Sequence, residues 1–229
     1  MVEVMGNIIT HTFKNQRFYF TKTPTAPALV AEIFNDNYHV LEGGVEFKAN
    51  DVILDVGANE GMFAIMMAKL FPMTRVIAIE PIPATYFHLV RNKGLNNCKN
   101  IETYNIGFGK SGQHTTTMNV AKSFSGGSTS FCTYNPNDHY QVEVGLISMD
   151  DAFDLYHIER CWLLKMDIEG MEYDVLYSAA HSLSQVDNMA IEIHINQQLE
   201  FQSRRADALA VWLSNQTNLV HVDFCRMAE

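Results

Sequence analysis

Two short stretches combine residue types and spacings that suit a bound nucleoside. In LDVGANEG (residues 54–61) an apolar run ends at Asp55, and glycines follow at Gly57 and Gly61. In AIEP (residues 78–81) a second apolar run ends in Glu80 and Pro81, at about the 20-residue spacing that separates a glycine turn from a ribose-binding acid. A strand enters a turn, a helix leaves it, and the next strand ends in a carboxylate. Gly57 permits a turn that a side chain would obstruct, Ala58 and Asn59 complete it, and Gly61 lets the outgoing helix lie close to the sheet. The spacing is Gly-x-x-x-Gly, with Asn59 where a dinucleotide fold carries its middle glycine. Such a turn is not tailored to bring backbone amides against a pyrophosphate. A cofactor without phosphates fits better. Glu80 offers two acceptor oxygens to the ribose hydroxyls and repels a 2'-phosphate.

A second constellation lies further on. KMDIEG (residues 165–170) and EIH (residues 192–194) each end an apolar run. Lys165, Asp167 and Glu169 share strand parity if the strand continues, as do Glu192 and His194, so each set projects toward one face. Charges in central strands require partners, which predicts an ion pair of Lys165 with Glu192 or with Asp55. Asp167 and His194 fall at the carboxyl ends of adjacent strands, where open α/β sheets bind ligands. Glu169 opens a helix, where an acid is stabilised by the dipole with or without a further role.

These residues need a scaffold, and the remaining sequence describes one. VILDV, RVIAI, NIETYNI, WLLKMDI and MAIEIHI are short apolar runs separated by segments of helical character, the pattern of a parallel sheet covered on both faces. The segment 60–71 is apolar nearly all round, Tyr86, Leu89 and Val90 follow helical spacing, and Ala206, Leu209, Ala210 and Leu213 form a stripe. Residues 1–50 mix short strands with a helix near Pro27–Asn35 and read as an extension packed beside a core domain of residues 51–229. Between about residues 110 and 146 the alternation gives way to Ser, Thr, Gly and Asn, which predicts an inserted loop with a hairpin over a cleft. LVHVDF (residues 219–224) is the last strand candidate.

LDVGANEG, AIEP, Asn92 and Asn97, SMDD (residues 148–151) and KMDIEGMEYDVL (residues 165–176) together resemble the FkbM family of S-adenosylmethionine-dependent methyltransferases, over roughly residues 51–194. The resemblance implies an α/β, Rossmann-like class I methyltransferase fold with a mostly parallel seven-stranded sheet and helices on both faces. Its last antiparallel strand is either missing here or supplied by an earlier segment. It further implies S-adenosylmethionine as cofactor, framed at the adenine by Asn105, Ile106 and Gly107 after the third core strand. The expected reaction is O-methylation of a hydroxyl on a sugar or natural-product acceptor. A hydroxyl is a poor nucleophile near neutral pH, so a base is expected, for a typical gain of about 10² to 10⁴. His194 leads because it titrates nearest neutrality, with Asp167 as the other candidate base, as its orienting partner, or as a contact to the cofactor amine. A divalent metal such as Mg²⁺ is the competing way to acidify a hydroxyl, with Asp167, Glu169, Glu192 and His194 as ligand types. Ser123–Ser130 would supply hydroxyls over the acceptor.

Composition bounds the partners. The chain has 229 residues, 16 Lys plus Arg and 26 Asp plus Glu, for a formal charge of -10. That balance disfavours nucleic acid and anionic bilayers and leaves a small molecule or glycan as acceptor, with the oligomeric state open. Four scattered cysteines without metal-type spacing favour reduced thiols and a cytoplasmic setting. Two other function classes use the same features: a nicotinamide-dependent oxidoreductase, and a nucleoside-binding module without activity.

Overall fold

The computed structural model describes residues 2–36, 46–122, 135–179 and 181–226. The chain opens with an antiparallel sheet of β1 (Val2–Met5), β2 (Ile8–Phe13) and β3 (Gln16–Thr21), followed by α1 (Ala26–Ala31) and a π-helical turn at Glu32–Asp36. The main alternation then runs β4 (Val52–Val56), α2 (Met62–Leu70), β5 (Arg75–Ile79), α3 (Pro83–Leu95) and β6 (Ile101–Tyr104). A side sheet follows, made of β7 (Gly107–Gly109), β8 (Thr115–Ala121) and β9 (His139–Ser148), where β8 and β9 form an antiparallel pair. After α4 (Met149–Leu155) come β10 (Cys161–Met166), α5 (Glu172–Ser178), β11 (Val186–Ile195), α6 (Gln197–Phe201), α7 (Ala206–Leu213) and β12 (Asn218–Arg226).

The central sheet has the order β12-β11-β10-β4-β5-β6, and every neighbouring pair is parallel. Among the described residues no antiparallel seventh strand enters it, and β12 pairs directly with β11. All five residues of β4 are buried, as expected of a central strand covered on both faces. The strand order reverses between β4 and β10, and a crevice opens where chain connections leave such a point in opposite directions.

The all-round apolarity of α2 has a simple cause. Met62–Ala68 are buried between the central sheet and the N-terminal sheet, in one core with Ile9, Phe18, Phe20, Leu29 and Phe34. Polar ties fix this docking. Asn92, fully buried on α3, accepts from the Thr21 amide at 2.7 Å and donates to the Glu60 carbonyl at 2.9 Å. Asn96, one turn on, accepts from the Tyr19 amide at 3.0 Å and donates to its carbonyl at 2.6 Å. The Glu60 carboxylate accepts from the hydroxyls of Thr23 and Thr25, each at 2.7 Å. Asn97, by contrast, lies in the left-handed region at φ 53°, where asparagine is tolerated.

The SMDD motif is architectural. Ser148 caps α4, accepting from the Asp151 amide, and Asp150 accepts from the amide and hydroxyl of Ser182 at 2.8 and 2.5 Å. Residues 123–130 and Cys132 lie outside the described residues, so the expected hydroxyl loop has no structural account. Cys98, Cys161 and Cys225 are free thiols, and among the described residues no helix is long and apolar enough to cross a membrane.

Asn92→Leu removes the amide that serves both the Thr21 N–H and the Glu60 carbonyl and leaves those two groups unpaired. The variant is expected to lose about 2 to 5 kcal/mol of stability, read as a lower urea midpoint at unchanged slope.

Candidate active site

The turn after β4 is set by contact across the sheet. Gly57 has φ 81°, and a Cβ there would stand 1.8 Å from the carbonyl oxygen of Asp167, at the end of β10. Only glycine fits. Gly61 has φ 87°, and its missing side chain admits Leu89 of α3, whose Cδ1 would lie 2.4 Å from an added Cβ. The amides of Gly57 and Ala58 donate to the Ile79 carbonyl at 3.0 and 2.9 Å, which ties the turn to the end of β5.

Glu80 completes the loop pair. Its carboxylate accepts from the Asn59 amide at 2.9 Å and from the Ile82 amide at 2.9 Å, one on each oxygen. Each oxygen keeps a lone pair for another donor. Burial pushes its pKa up to about 7, against the stabilising pull of those two amides. Asn59, in the left-handed region at φ 51°, leaves its side-chain oxygen buried without a hydrogen-bond partner. An orphaned buried acceptor beside a cavity suits a ligand that donates.

That cavity measures about 390 Å³, within the usual range for small-molecule sites. Gly57, Asn59, Glu80, Pro81, Gly107 and Asp167 line it. Asp55, Ala58, Gly61, Asn105 and Ile106 do not. Asp55 is fully buried beneath the turn, 3.9 Å from the Lys165 ammonium, with its pKa raised to about 6 by burial. Ala58 and Gly61 shape the loop from behind. Asn105 donates its amide to the carbonyls of Glu80 and Pro81, each at 2.9 Å, and so braces the ends of β5 and β6.

The far end of the cavity is polar. Lys165 pairs with Asp167 at 3.2 Å and with Asp55 at 3.9 Å, and these two supply the partners that the sequence divided between Asp55 and Glu192. Burial opposes the Lys165 charge, but Asp167 and Asp55 overcome it and hold the ammonium above its ordinary range. β10 ends at Met166, so strand parity does not carry on to Glu169 as the sequence pattern suggested. A turn does the work instead: Glu169 sits at φ 54° and Gly170 at φ 100°. A left-handed glutamate costs energy on the order of 1 to 3 kcal/mol.

This turn and β11 converge on His194, which is 2% exposed. Its Nδ1 lies 2.8 Å from Oε1 of the fully buried Glu172, an oxygen that also accepts from the amides of Ile168 and Gly170, both at 3.2 Å. Its Nε2 faces Glu169 at 3.6 Å and Asp167 and Glu192 at 3.8 Å each. Burial works against the imidazolium, but the Glu172 bond and the charges of Glu172, Glu169 and Asp167 outweigh it and raise the pKa to about 10. These neighbours favour the imidazolium form of His194. An imidazolium has no lone pair, so His194 can act as a base only where Nε2 has lost its proton, which its four acidic neighbours oppose. Burial, with the neighbouring acids, raises Glu169 to about 8 and raises Glu192, while Lys165 and His194 hold Asp167 below the usual carboxylate range against its burial.

Several lining residues had no signal in the sequence. Leu29 and Glu32 arrive from the N-terminal segment, Thr116, Met118 and Leu146 from the side sheet, and Cys225 and Arg226 from the end of β12. Phe108, one residue past the expected adenine frame, lines the cavity beside Ile82.

The Methyltransferase FkbM domain matches residues 55–220. The chain belongs to this methyltransferase family. Among curated relatives, Methyltransferase 1 of Beauveria bassiana (strain ARSEF 2860) is 26% identical over 180 residues, covering 71% of each chain. The 31-O-demethyl-FK506 methyltransferase FkbM of Streptomyces tacrolimicus is 42% identical over 67 residues, covering 29% of this chain and 25% of that protein. Among solved structures, P. horikoshii TYW2 in complex with MeSAdo is 24% identical at a TM-score of 0.33, over 45% of this chain and 37% of that one. A precorrin-6y C5,15-methyltransferase from Geobacter metallireducens GS-15 is 12% identical at a TM-score of 0.39, over 69% and 62%. Structural likenesses this partial carry no functional inference.

Gly57→Ala places a methyl group on the Asp167 carbonyl and a side chain at positive φ. It is expected to lower the melting temperature by several degrees, on the order of 1 to 3 kcal/mol, and a thermal unfolding scan reads this directly.

Proposed function

We propose that this protein is an S-adenosylmethionine-dependent O-methyltransferase acting on a hydroxyl of a small polyhydroxylated molecule, a sugar or a natural product. The observation that carries this is the meeting of Gly57, Glu80 and Asp167 on one cavity. Glu80 takes the ribose hydroxyls on its free lone pairs, with the Asn59 side chain beside it. Ile82, Gly107, Phe108 and Leu146 give the adenine an apolar slot. The methionine end then runs past Gly57 toward Asp167, and the sulfonium faces the acidic end of the cleft. The name of the FK506 relative describes an O-demethyl acceptor, which supports an oxygen acceptor here.

Methyl transfer is an in-line displacement. A bond forms between the acceptor oxygen and the methyl carbon as the carbon–sulfur bond breaks, its electron pair neutralising the sulfonium. The hydroxyl proton passes to the Asp167 carboxylate, which Lys165 and His194 keep ionised. Alignment of donor and acceptor supplies roughly 7 to 11 kcal/mol of the barrier. The rival nicotinamide reading has less support, because Asn59 stands where a diphosphate needs glycine.

Calorimetry with S-adenosylhomocysteine is expected to give saturable heat, and NAD none. Glu80→Ala is expected to weaken the binding at least about tenfold, the loss of hydrogen bonds to a charged acceptor. Heat with NAD alone, or an unchanged affinity in the variant, would reject the cofactor assignment.

The same titration has a predicted pH dependence. The ribose donates to the ionised Glu80, whose carboxyl protonates as pH falls through about 7. Affinity is therefore full above that value and declines below it, approaching tenfold per pH unit, whereas Glu80→Gln shows a flat profile over the same range.

A further inference from the structure

The polar end of the cavity contains more donor atoms than proton handling requires. Asp167 Oδ1, Glu169 Oε2 and Glu192 Oε1 surround one imidazole nitrogen at 3.6 to 3.8 Å. A charge-assisted hydrogen bond to an imidazolium would draw one of them in to about 2.7 to 2.9 Å. None has come in. Ligands held about 2.1 Å from one ion stand about 3.0 Å apart in cis octahedral sites and about 3.4 Å apart in tetrahedral ones. The observed spacings exceed the tetrahedral value by about 0.2 to 0.4 Å and the octahedral one by about 0.6 to 0.8 Å.

The second observation is how the imidazole is aimed. His194 is buried, and its Nδ1 is locked on Glu172, which the amides of Ile168 and Gly170 pin in turn. Nε2 is thereby pointed into the carboxylates. A carboxylate behind a histidine that faces a donor set is the arrangement that orients metal-ligating imidazoles. Asp167, Glu169, Glu192 and His194 all line the cavity, so an ion among them would keep positions open on that side.

We propose that Asp167, Glu169 and His194 form a binding site for one divalent cation, with Glu192 at its edge. The mixed carboxylate and imidazole set fits Mn²⁺ better than Mg²⁺, whose sites are built from oxygen. On binding, the cation takes the place of the Nε2 proton, as ligands must be deprotonated. This inference rests on the methyltransferase reading for its use: the open positions would take the acceptor hydroxyl and acidify it. The ion site itself does not need that reading.

The test separates the two. Chelator-treated protein in about 0.15 M salt, which screens diffuse attraction, is titrated with Mn²⁺ alone, and the free ion is followed by its EPR signal. One ion per chain is expected. Glu169→Gln is expected to weaken binding at least about tenfold, and its fold is checked by circular dichroism. Because His194 variants can unfold, Glu192→Gln serves as the second variant, with a smaller loss expected. No stoichiometric binding, or binding unchanged in both variants, overturns the site. S-adenosylhomocysteine calorimetry on the same chelated sample reports on the cofactor reading independently. Product binding without Mn²⁺ binding removes the ion and leaves the methyltransferase; Mn²⁺ binding without product binding does the reverse.

Discussion

A lysine in the middle of a parallel sheet sets the terms for this molecule. Lys165 sits on β10 opposite Asp55 on β4, the two central strands of the crossover point, where both faces are covered and water cannot solvate an ammonium. Leaving either charge alone there is expensive, so the strands are constrained to bring compensating acids together. Asp55 comes from the neighbouring strand and Asp167 from just beyond the end of the same one. Asp167 is thus bound to Lys165 on one side while its carbonyl caps the space left by Gly57 on the other. Replacing the trio with apolar residues would relieve the desolvation, yet it would free the backbone that aims Asp167 and, two residues on, Glu169.

From that fixed point the cleft divides into two chemistries. Toward β5 and the side sheet it is mostly apolar with one buried carboxylate, Glu80, whose oxygens already bond two loop amides. Toward β11 it is acidic, with His194 at its centre. A sulfonium nucleoside spans such a gradient, with a neutral aromatic base, a diol and a cation in that order. A diphosphate in the same place would meet Asp167 and Glu169, and like charges this close disfavour it.

The central strands, the glycine turn and the pairing of Gly57 with Glu80 were legible because each is written locally. Apolar runs of strand length, a glycine at the turn and an acid at the next strand end depend on neighbours in sequence. The convergence of Asp167 and His194 followed from strand order alone. Asn105 shows what local signals leave out: its amide braces the carbonyls of Glu80 and Pro81, a tie the spacing did not announce. Leu29, Glu32, Thr116 and Met118 were not legible at all. They reach the cavity because whole segments dock back on it: the N-terminal segment is tied down by Asn92, Asn96 and Glu60, whose partners in it lie 35 to 77 positions away, and Thr116 and Met118 arrive with β8 through its pairing to β9.

His194 carries the same lesson into chemistry. From its type alone it is the residue most suited to exchange a proton near neutrality. Placed among four carboxylates it is shifted toward the charged form, because the surrounding acids favour that state against the cost of burial. Excess acid around a single imidazole can be balanced in two ways, by a proton on Nε2 or by a metal ion in its place. A proton satisfies one acceptor at short range, whereas an ion can satisfy several at equal distance. No carboxylate stands at short range from Nε2, and the ligand atoms of Asp167, Glu169 and His194 lie within 4.8 Å of one another, which fits the second. Glu172 stays outside that competition, since its bond to Nδ1 is the same in either state and holds the ring in place for both.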